Sequence, residues 1–299
     1  MKVSICCATY NHKDFIGKAI ESFLMQKTDF EYEILVHDDC STDGTTEIVK
    51  EYENKYKNMI KPIYQDENLY SKGLHSFMEI FSKKAKGQYI ALCDGDDYWT
   101  DPLKLQKQVD FLEANPEYVV CYHDAKIIGV DGNLIKKSIL GDNYKKDYSK
   151  DESIKGAWMP TLTRCFRNVV KEYPQEFYMV PHGDLFITSI LGHFGKAKYL
   201  EGIGACYRQQ PNGAWSSLSE KKKNESTIVS YICLFSYYRR IGMDNYSQYF
   251  FEKMREKFRS DFVEMEVIYK QVMENKKLFS TYLKINRVFN KIIKFLKKQ

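Results

Sequence analysis

The stretch ALCDGDDYWTDP (91–102) sets three carboxylates, Asp94, Asp96 and Asp97, into four positions. It follows directly on GQYIALC (87–93), an apolar run that reads as a buried strand. Two unscreened carboxylates about 4 Å apart repel by roughly 4 kcal/mol at an effective dielectric near 20. The cluster therefore calls for a cation beside it, or for a proton on one of the acids. A calcium loop of the EF-hand type starting at Asp94 fails, since it needs glycine at the sixth place and glutamate at the twelfth, where Trp99 and Leu105 stand. A histidine-containing zinc site has no local ligands. What fits is a divalent metal held by one or two carboxylates together with phosphate oxygens, the usual manner of Mg²⁺. Gly95 would let the backbone approach that ligand closely.

Such acids need a scaffold, and the first half of the chain alternates strand-like and helix-like segments. KVSICCAT (2–9), YEILVHD (32–38), IKPIYQ (60–65), GQYIALC and EYVVCYHDAKII (117–128) read as strands. DFIGKAIESFLMQ (14–26) places Ile16, Ile20, Phe23 and Leu24 on one helical face. STDGTTEIVKEYENKY (41–56) opens on N-cap residues, a helix is expected near 72–85, and DPLKLQKQVDFLEANP (101–116) carries proline near its start and after its end. The alternation predicts an α/β fold with a mostly parallel sheet flanked by helices. Parallel sheets gather ligand groups at the carboxyl ends of their strands. TYN (9–11), HDDCSTDGT (37–45) and DGDD (94–97) all fall there. Tyr10 offers a ring to stack on a base, and Asp38 or Asp39 an acceptor for a base or ribose. Each is also an ordinary turn or cap residue. Their joint placement after successive strands is what points to a ligand.

Beyond residue 130 the pattern changes. GVDGN (129–133) is a turn, 138–156 reads as a polar irregular loop, and GDLFITSILGHFG (183–195) as a helix stopped by glycine. AKYLEGIGACYRQQPNGAWS (197–216) reads as strand and loop, and everything from about 219 as helix. The expected division is an α/β domain over 1–217 and a helical region over 218–299. The 299 residues, 43% hydrophobic and 28% charged, suit a soluble globular protein. The apolar run VSICCA (3–8) is too short for a secretion signal, and no segment approaches the ~18 apolar residues of a membrane span. Eight cysteines without C-x-x-C spacing fit reduced, buried thiols and a cytoplasmic location. The net charge of +5 hides an asymmetry: residues 276–299 hold eight Lys or Arg and no acid, leaving 37 basic against 40 acidic residues before them. No nucleic-acid-binding surface is indicated.

Taken together, VSICCATYNHKDFIGKAIESFLMQ, YEILVHDDCSTDGTTEIV and GQYIALCDGDDYWTDPLKLQKQVDFL closely resemble the family-2 glycosyltransferases of the GT-A fold, bacterial-type enzymes that move a sugar from a nucleotide diphosphate to a hydroxyl. The resemblance covers about residues 3–216. It implies that Ala8, Tyr10 and Asp39 bind the nucleobase, and that Asp94-Gly95-Asp96 is the D-x-D motif. There Asp94 would lie near the ribose and Asp96 on Mg²⁺ or Mn²⁺, with Asp97 extending the motif as a further metal ligand. Lys72 is the basic residue expected near the phosphates, and PHGDLFI (181–187) supplies Asp184 as the catalytic base. CYRQQPNGAWSS (206–217) resembles a segment that closes over the site. Arg208 would pair with phosphate and Trp215 stack on a sugar. Gln210 stands where the family usually has a metal- or phosphate-contacting histidine, and its amide oxygen can still bind. The six histidines, His12 among them, show no metal spacing and are expected to be structural or on the surface.

The tail YLKINRVFNKIIKFLKKQ (282–299) has apolar residues at helical spacing and a basic face, the pattern of an interfacial membrane helix and also of an ordinary packed one. The implied function is an inverting, metal-dependent glycosyltransferase, cytoplasmic or peripheral at the inner leaflet. Its donor would be UDP-linked and its acceptor a glycan or lipid-linked hydroxyl. Two rivals are a sugar nucleotidyltransferase, for which CATYNH lacks the glycine-rich phosphate loop, and a non-catalytic membrane-docked binding module.

Overall fold

The computed structural model describes residues 1–71, 77–211, 213 and 215–261. Their contacts divide the chain into two units, Met1–Tyr173 with Gly183–Ser217, and Pro174–His182 with the chain from Leu218 onward.

The first unit opens as the alternation predicts: β1 (Val3–Thr9), α1 (Lys13–Leu24), β2 (Tyr32–Asp38), α2 (Thr45–Lys55), β3 (Ile60–Tyr64), α3 (Phe77–Lys84) and β4 (Tyr89–Leu92). It continues through β5 (Tyr98–Trp99), α4 (Lys104–Ala114), β6 (Tyr118–Tyr122), β7 (Lys126–Ile128), β8 (Leu134–Lys136) and α5 (Lys150–Ile154). β9 (Cys165–Arg167), α6 (Asp184–Leu191), β10 (Lys196–Tyr199) and β11 (Ala205–Arg208) complete it. Seven strands form one sheet in the order β10, β6, β9, β4, β1, β2, β3. All neighbours in it run parallel except β9, which is antiparallel to both β4 and β6. The fold is α/β, a mostly parallel sheet flanked by helices. β1 can be apolar on both faces because it lies mid-sheet; Val3, Ile5, Cys6 and Cys7 are all buried. α1 covers it with Ile16, Ala19, Ile20 and Phe23, a spacing that keeps one helical face inward.

Three readings of the sequence need correction. The run 117–128 is two strands in different sheets, because β7 joins a smaller sheet of order β5, β11, β7, β8. The Asp124 carboxylate makes the turn between them by accepting the N–H groups of Ala125, Ile139 and Leu140 at 2.8, 3.1 and 3.2 Å. The expected loop 138–156 holds a 3₁₀ turn at Asp142–Tyr144 and the helix α5, which Ser149 and Glu152 close with a reciprocal capping box. α2 starts at Thr45, later than read, since Gly44 before it is left-handed at φ +106°. The first five residues of the helix expected near 72–85 lie outside the described residues, as does Lys72.

The second unit contains a 3₁₀ turn (Gln175–Met179) and the helices α7 (Glu220–Arg240) and α8 (Asp244–Asp261). Tyr238 of α7 stacks on Phe250 of α8 at 5.6 Å, and Arg240 grips the buried Glu176 carboxylate through two N–H groups at 2.7 and 2.8 Å. The basic stretch 282–299 lies outside the described residues. No helix among the described residues is long and apolar enough to cross a membrane. All eight cysteines are free thiols, and all but Cys40 are buried.

Candidate functional site

Register brings the predicted groups together at one sheet edge. Thr9 pairs with Asp38, and Cys6 with Leu92, so β1, β2 and β4 end side by side. The last carbonyls of β1 then hold both neighbouring loops: Gly95 N–H donates to Ala8 O at 2.8 Å, and Asp39 N–H to Thr9 O at 3.0 Å. Tyr10 stands exposed beyond them. Asn11 is left-handed at φ 54° and fixes the β2 loop by accepting Thr42 N–H at 2.8 Å. Asp38 ties that loop to the start of α2, accepting from Ser41 and Thr46. Asp39 is buried, and its two oxygens accept the N–H groups of Leu69 and Tyr70 at 2.8 and 3.0 Å, which fastens the chain leading toward residue 72.

The acids gather as expected, but their surroundings differ from those read in the sequence. Asp94 and Asp96 are half-buried and Asp97 is buried. Burial, then the charges of Asp96 and Asp184, push the Asp94 carboxyl up to about 8. Asp97 is also raised, by burial and by its two acidic neighbours. Gly95 meets protein rather than open space: a Cβ there would lie 2.6 Å from Thr9 Oγ1 and 3.0 Å from His12 Nδ1, so the glycine lets β1 and the acidic loop close on each other. His12 was expected to be structural or on the surface; its Nε2 lies 4.0 Å from Asp96 Oδ2. Gln210 also reaches Asp96, donating from Nε2 to Oδ2 at 2.6 Å. Arg208, expected to pair with phosphate, already has its guanidinium engaged with backbone. It is buried, its Nε and Nη1 donate to the carbonyls of Asp96, Gly129 and Val130, and its backbone N–H donates to Asp97 Oδ1 at 2.7 Å. Trp215 is exposed.

Asp184 begins α6 and is half exposed. Thr161 Oγ1 donates to its Oδ1 at 2.7 Å, and the buried guanidinium of Arg164 lies 3.5 Å from the same oxygen. Arg164 is itself fixed, because Nε donates to Met159 O at 2.8 Å. Sequence reasoning missed Thr161, Arg164 and His12. None carries a local spacing signal, and each reaches its acid only through the fold.

Among the described residues no lysine or arginine forms an ion pair with Asp94, Asp96 or Asp97. Three carboxylates in four positions with no such partner repel one another, which a divalent cation would relieve. Carboxylate and amide oxygens are hard donors that suit Mg²⁺ or Mn²⁺. Among the described residues no three His, Cys, Asp or Glu side chains form a closed cage. A site that takes its remaining ligands from phosphate and water does not need one. The residues present fit such a metal.

The model of the family "Glycosyl transferase family 2" matches residues 4–181, more than half of the chain. The chain belongs to that family. The Mycobacterium tuberculosis protein Rv1520, itself uncharacterized, is 33% identical to this family-2 chain over 230 residues, 74% of this chain and 63% of the relative. The chain thus spans under two thirds of that relative's length. WfaP of Escherichia coli, a UDP-Glc:α-D-GlcNAc-diphosphoundecaprenol β-1,3-glucosyltransferase, is 40% identical over 112 residues, 38% of this chain and 41% of WfaP. Among solved structures, the mannosyltransferase PcManGT of Pyrobaculum calidifontis, in complex with GDP-Man and Mn²⁺, superposes at a TM-score of 0.56 with 15% identity, over 77% of this chain and 63% of that one. That likeness shows the shared fold.

Proposed function

We infer that this chain is an inverting glycosyltransferase, moving a sugar from a UDP-linked donor to a hydroxyl of a glycan or lipid-linked acceptor in bacterial surface polysaccharide synthesis. The observation that carries this reading is the family-2 match over residues 4–181, which takes in the acidic corner of Asp94, Asp96 and Asp97 at the end of β4. WfaP supports the donor and acceptor classes by its name, and PcManGT supports the metal by its bound Mn²⁺.

Ala8, Tyr10 and Asp39 would frame the nucleobase at the ends of β1 and β2, and Asp94 the ribose. Asp96 would hold Mg²⁺ or Mn²⁺, and Gln210, whose Nε2 donates to Asp96 Oδ2, would turn its amide to add its oxygen, while Asp97 fixes the loop through Arg208. When bound, such a metal neutralises the departing diphosphate. Asp184 has Oδ1 engaged by Thr161 and Arg164, which leaves Oδ2 to take the acceptor proton as the hydroxyl attacks from the opposite face.

Calorimetry with UDP, with and without Mn²⁺, tests the reading. Asp96→Ala should weaken Mn²⁺-dependent UDP binding by about tenfold or more. Asp184→Ala should leave UDP binding intact and cut transfer about 10²- to 10⁴-fold, as scored on a panel of nucleotide-sugars. UDP binding indifferent to Mn²⁺ would refute the metal, and normal transfer by Asp184→Ala would refute the base.

A further inference from the structure

Two large aromatic side chains are exposed beside α6: Trp158 at 43% and Tyr144 at 38%. Their rings meet edge to face, 5.2 Å between centroids at 86°. We propose that Trp158 and Tyr144 form a stacking shelf for one pyranose ring of the acceptor, so that the acceptor is a sugar rather than an open-chain polyol or a bare lipid.

The placement follows from the chain on either side of Trp158. Gly156 packs on Leu185, where a Cβ would come within 2.3 Å of Leu185 Cδ1. Met159 is buried, and its carbonyl receives the guanidinium of Arg164, which faces Asp184. Thr161 donates to Asp184 Oδ1. Trp158 is therefore bracketed by contacts to the first two residues of α6. Three residues of chain reach at most about 11 Å, which limits the distance from Trp158 Cα to Thr161 Cα. A short glycan of one or two sugar units spans up to that distance, so a ring on Trp158 can belong to the attacked sugar or to its neighbour. The backbone of Tyr144 is also held, since its carbonyl accepts the Tyr122 hydroxyl at 2.6 Å. Aromatic side chains have only two rotatable bonds and so lose little entropy on binding.

The chemistry selects a pyranose. Its axial C–H groups form a flat, slightly electropositive face that matches the negative face of an aromatic ring, while its edge keeps hydroxyls for a base. A polyol presents no continuous C–H face. This inference rests on the reading of Asp184 as the base, and the experiment separates the two.

Saturation-transfer NMR on the full chain with UDP and diamagnetic Mg²⁺ uses methyl β-D-glucopyranoside and methyl β-D-galactopyranoside as probes, with ribitol and 1-hexanol as controls. Ring protons of at least one glycoside should take up saturation, about tenfold less with Trp158→Ala, given the strength of aromatic contacts. Tyr144→Ala should reduce it, Trp158→Phe restore it, and Leu134→Ala, on an exposed hairpin residue, leave it unchanged. Melting curves confirm that the variants fold. No glycoside signal on the native chain, a signal that survives Trp158→Ala, or equal signals from ribitol or hexanol would each overturn the shelf. Full transfer by Asp184→Ala with the glycoside signal intact would overturn the base and leave the shelf. Loss of transfer by Asp184→Ala without any glycoside signal would do the reverse.

Discussion

Lys104 lies fully buried on α4, its Nζ 2.6 Å from Gln108 Oε1 and 4.1 Å from the centroid of the Trp99 ring. Burial pushes its ammonium down to about 8 from the ordinary 10.5. Below pH 8 both folded and unfolded chains carry the proton, and the folded state bears the full cost of the buried charge. Between 8 and 10.5 the unfolded chain binds more protons, so stability from this group rises with pH. Lys104→Met should therefore stabilise the protein at pH 7.5 by about 1–2 kcal/mol, after about 1 kcal/mol is lost by leaving Gln108 Oε1 without its donor. Urea midpoints of variant and native chain should converge by pH 10, and a gap that widens with pH would contradict the sign. Lys104 could not be read as buried from DPLKLQKQVDFL, where it resembles any surface lysine of an amphipathic helix. The aspartates at 94–97 were legible because charges interrupt an apolar run. His12 was not, because its closeness to Asp96 arises from the β1–β4 register, which joins residues over eighty positions apart.

Two glycines show how elements set the site. Gly95 is pinned between Thr9 and His12, and Gly95→Ala would drive a methyl into Thr9 at 2.6–2.8 Å. That overpacking should destabilise by about 1–3 kcal/mol. It should also weaken UDP binding, because Ala8 O and the acidic loop can no longer close on each other. Gly17 sits inside α1, where a Cβ meets only Tyr52 Oη at 3.8 Å. Gly17→Ala should stabilise by about 0.5–1 kcal/mol through helix propensity, with UDP binding unchanged. Thermal and urea unfolding of the pair check both signs. β2 was read at Tyr32–Asp38 from its apolar run alone, as the structure has it. The run 117–128 misled, because composition does not record that Asp124 turns the chain into another sheet. The capping-box spacing of Ser149 and Glu152 is itself present in SKDES, the local signal for α5.

At the scale of the molecule, the onset of continuous helix suggests a cut near residue 217, while the contacts gather Met1–Tyr173 with Gly183–Ser217 as one unit. Invisible in the sequence was the excursion of Pro174–His182 into the second unit, a nine-residue segment with no helical or strand period of its own. Its 3₁₀ turn packs on α7, with Phe177 and Glu176 each only 1% exposed and Glu176 held by Arg240. A chain ending at Ser217 would keep this segment and lose α7. Uncovering an aromatic or aliphatic side chain costs about 1.5–3 kcal/mol, and Phe177 and Val180 are both buried. The freed Glu176 regains water and adds no such penalty. The truncated 1–217 chain should therefore melt well below the full chain and bind a hydrophobic dye, whereas Glu176→Gln in the full chain should cost less. Equal melting temperatures for the full chain and 1–217 would show instead that the first unit folds without the helices that follow it.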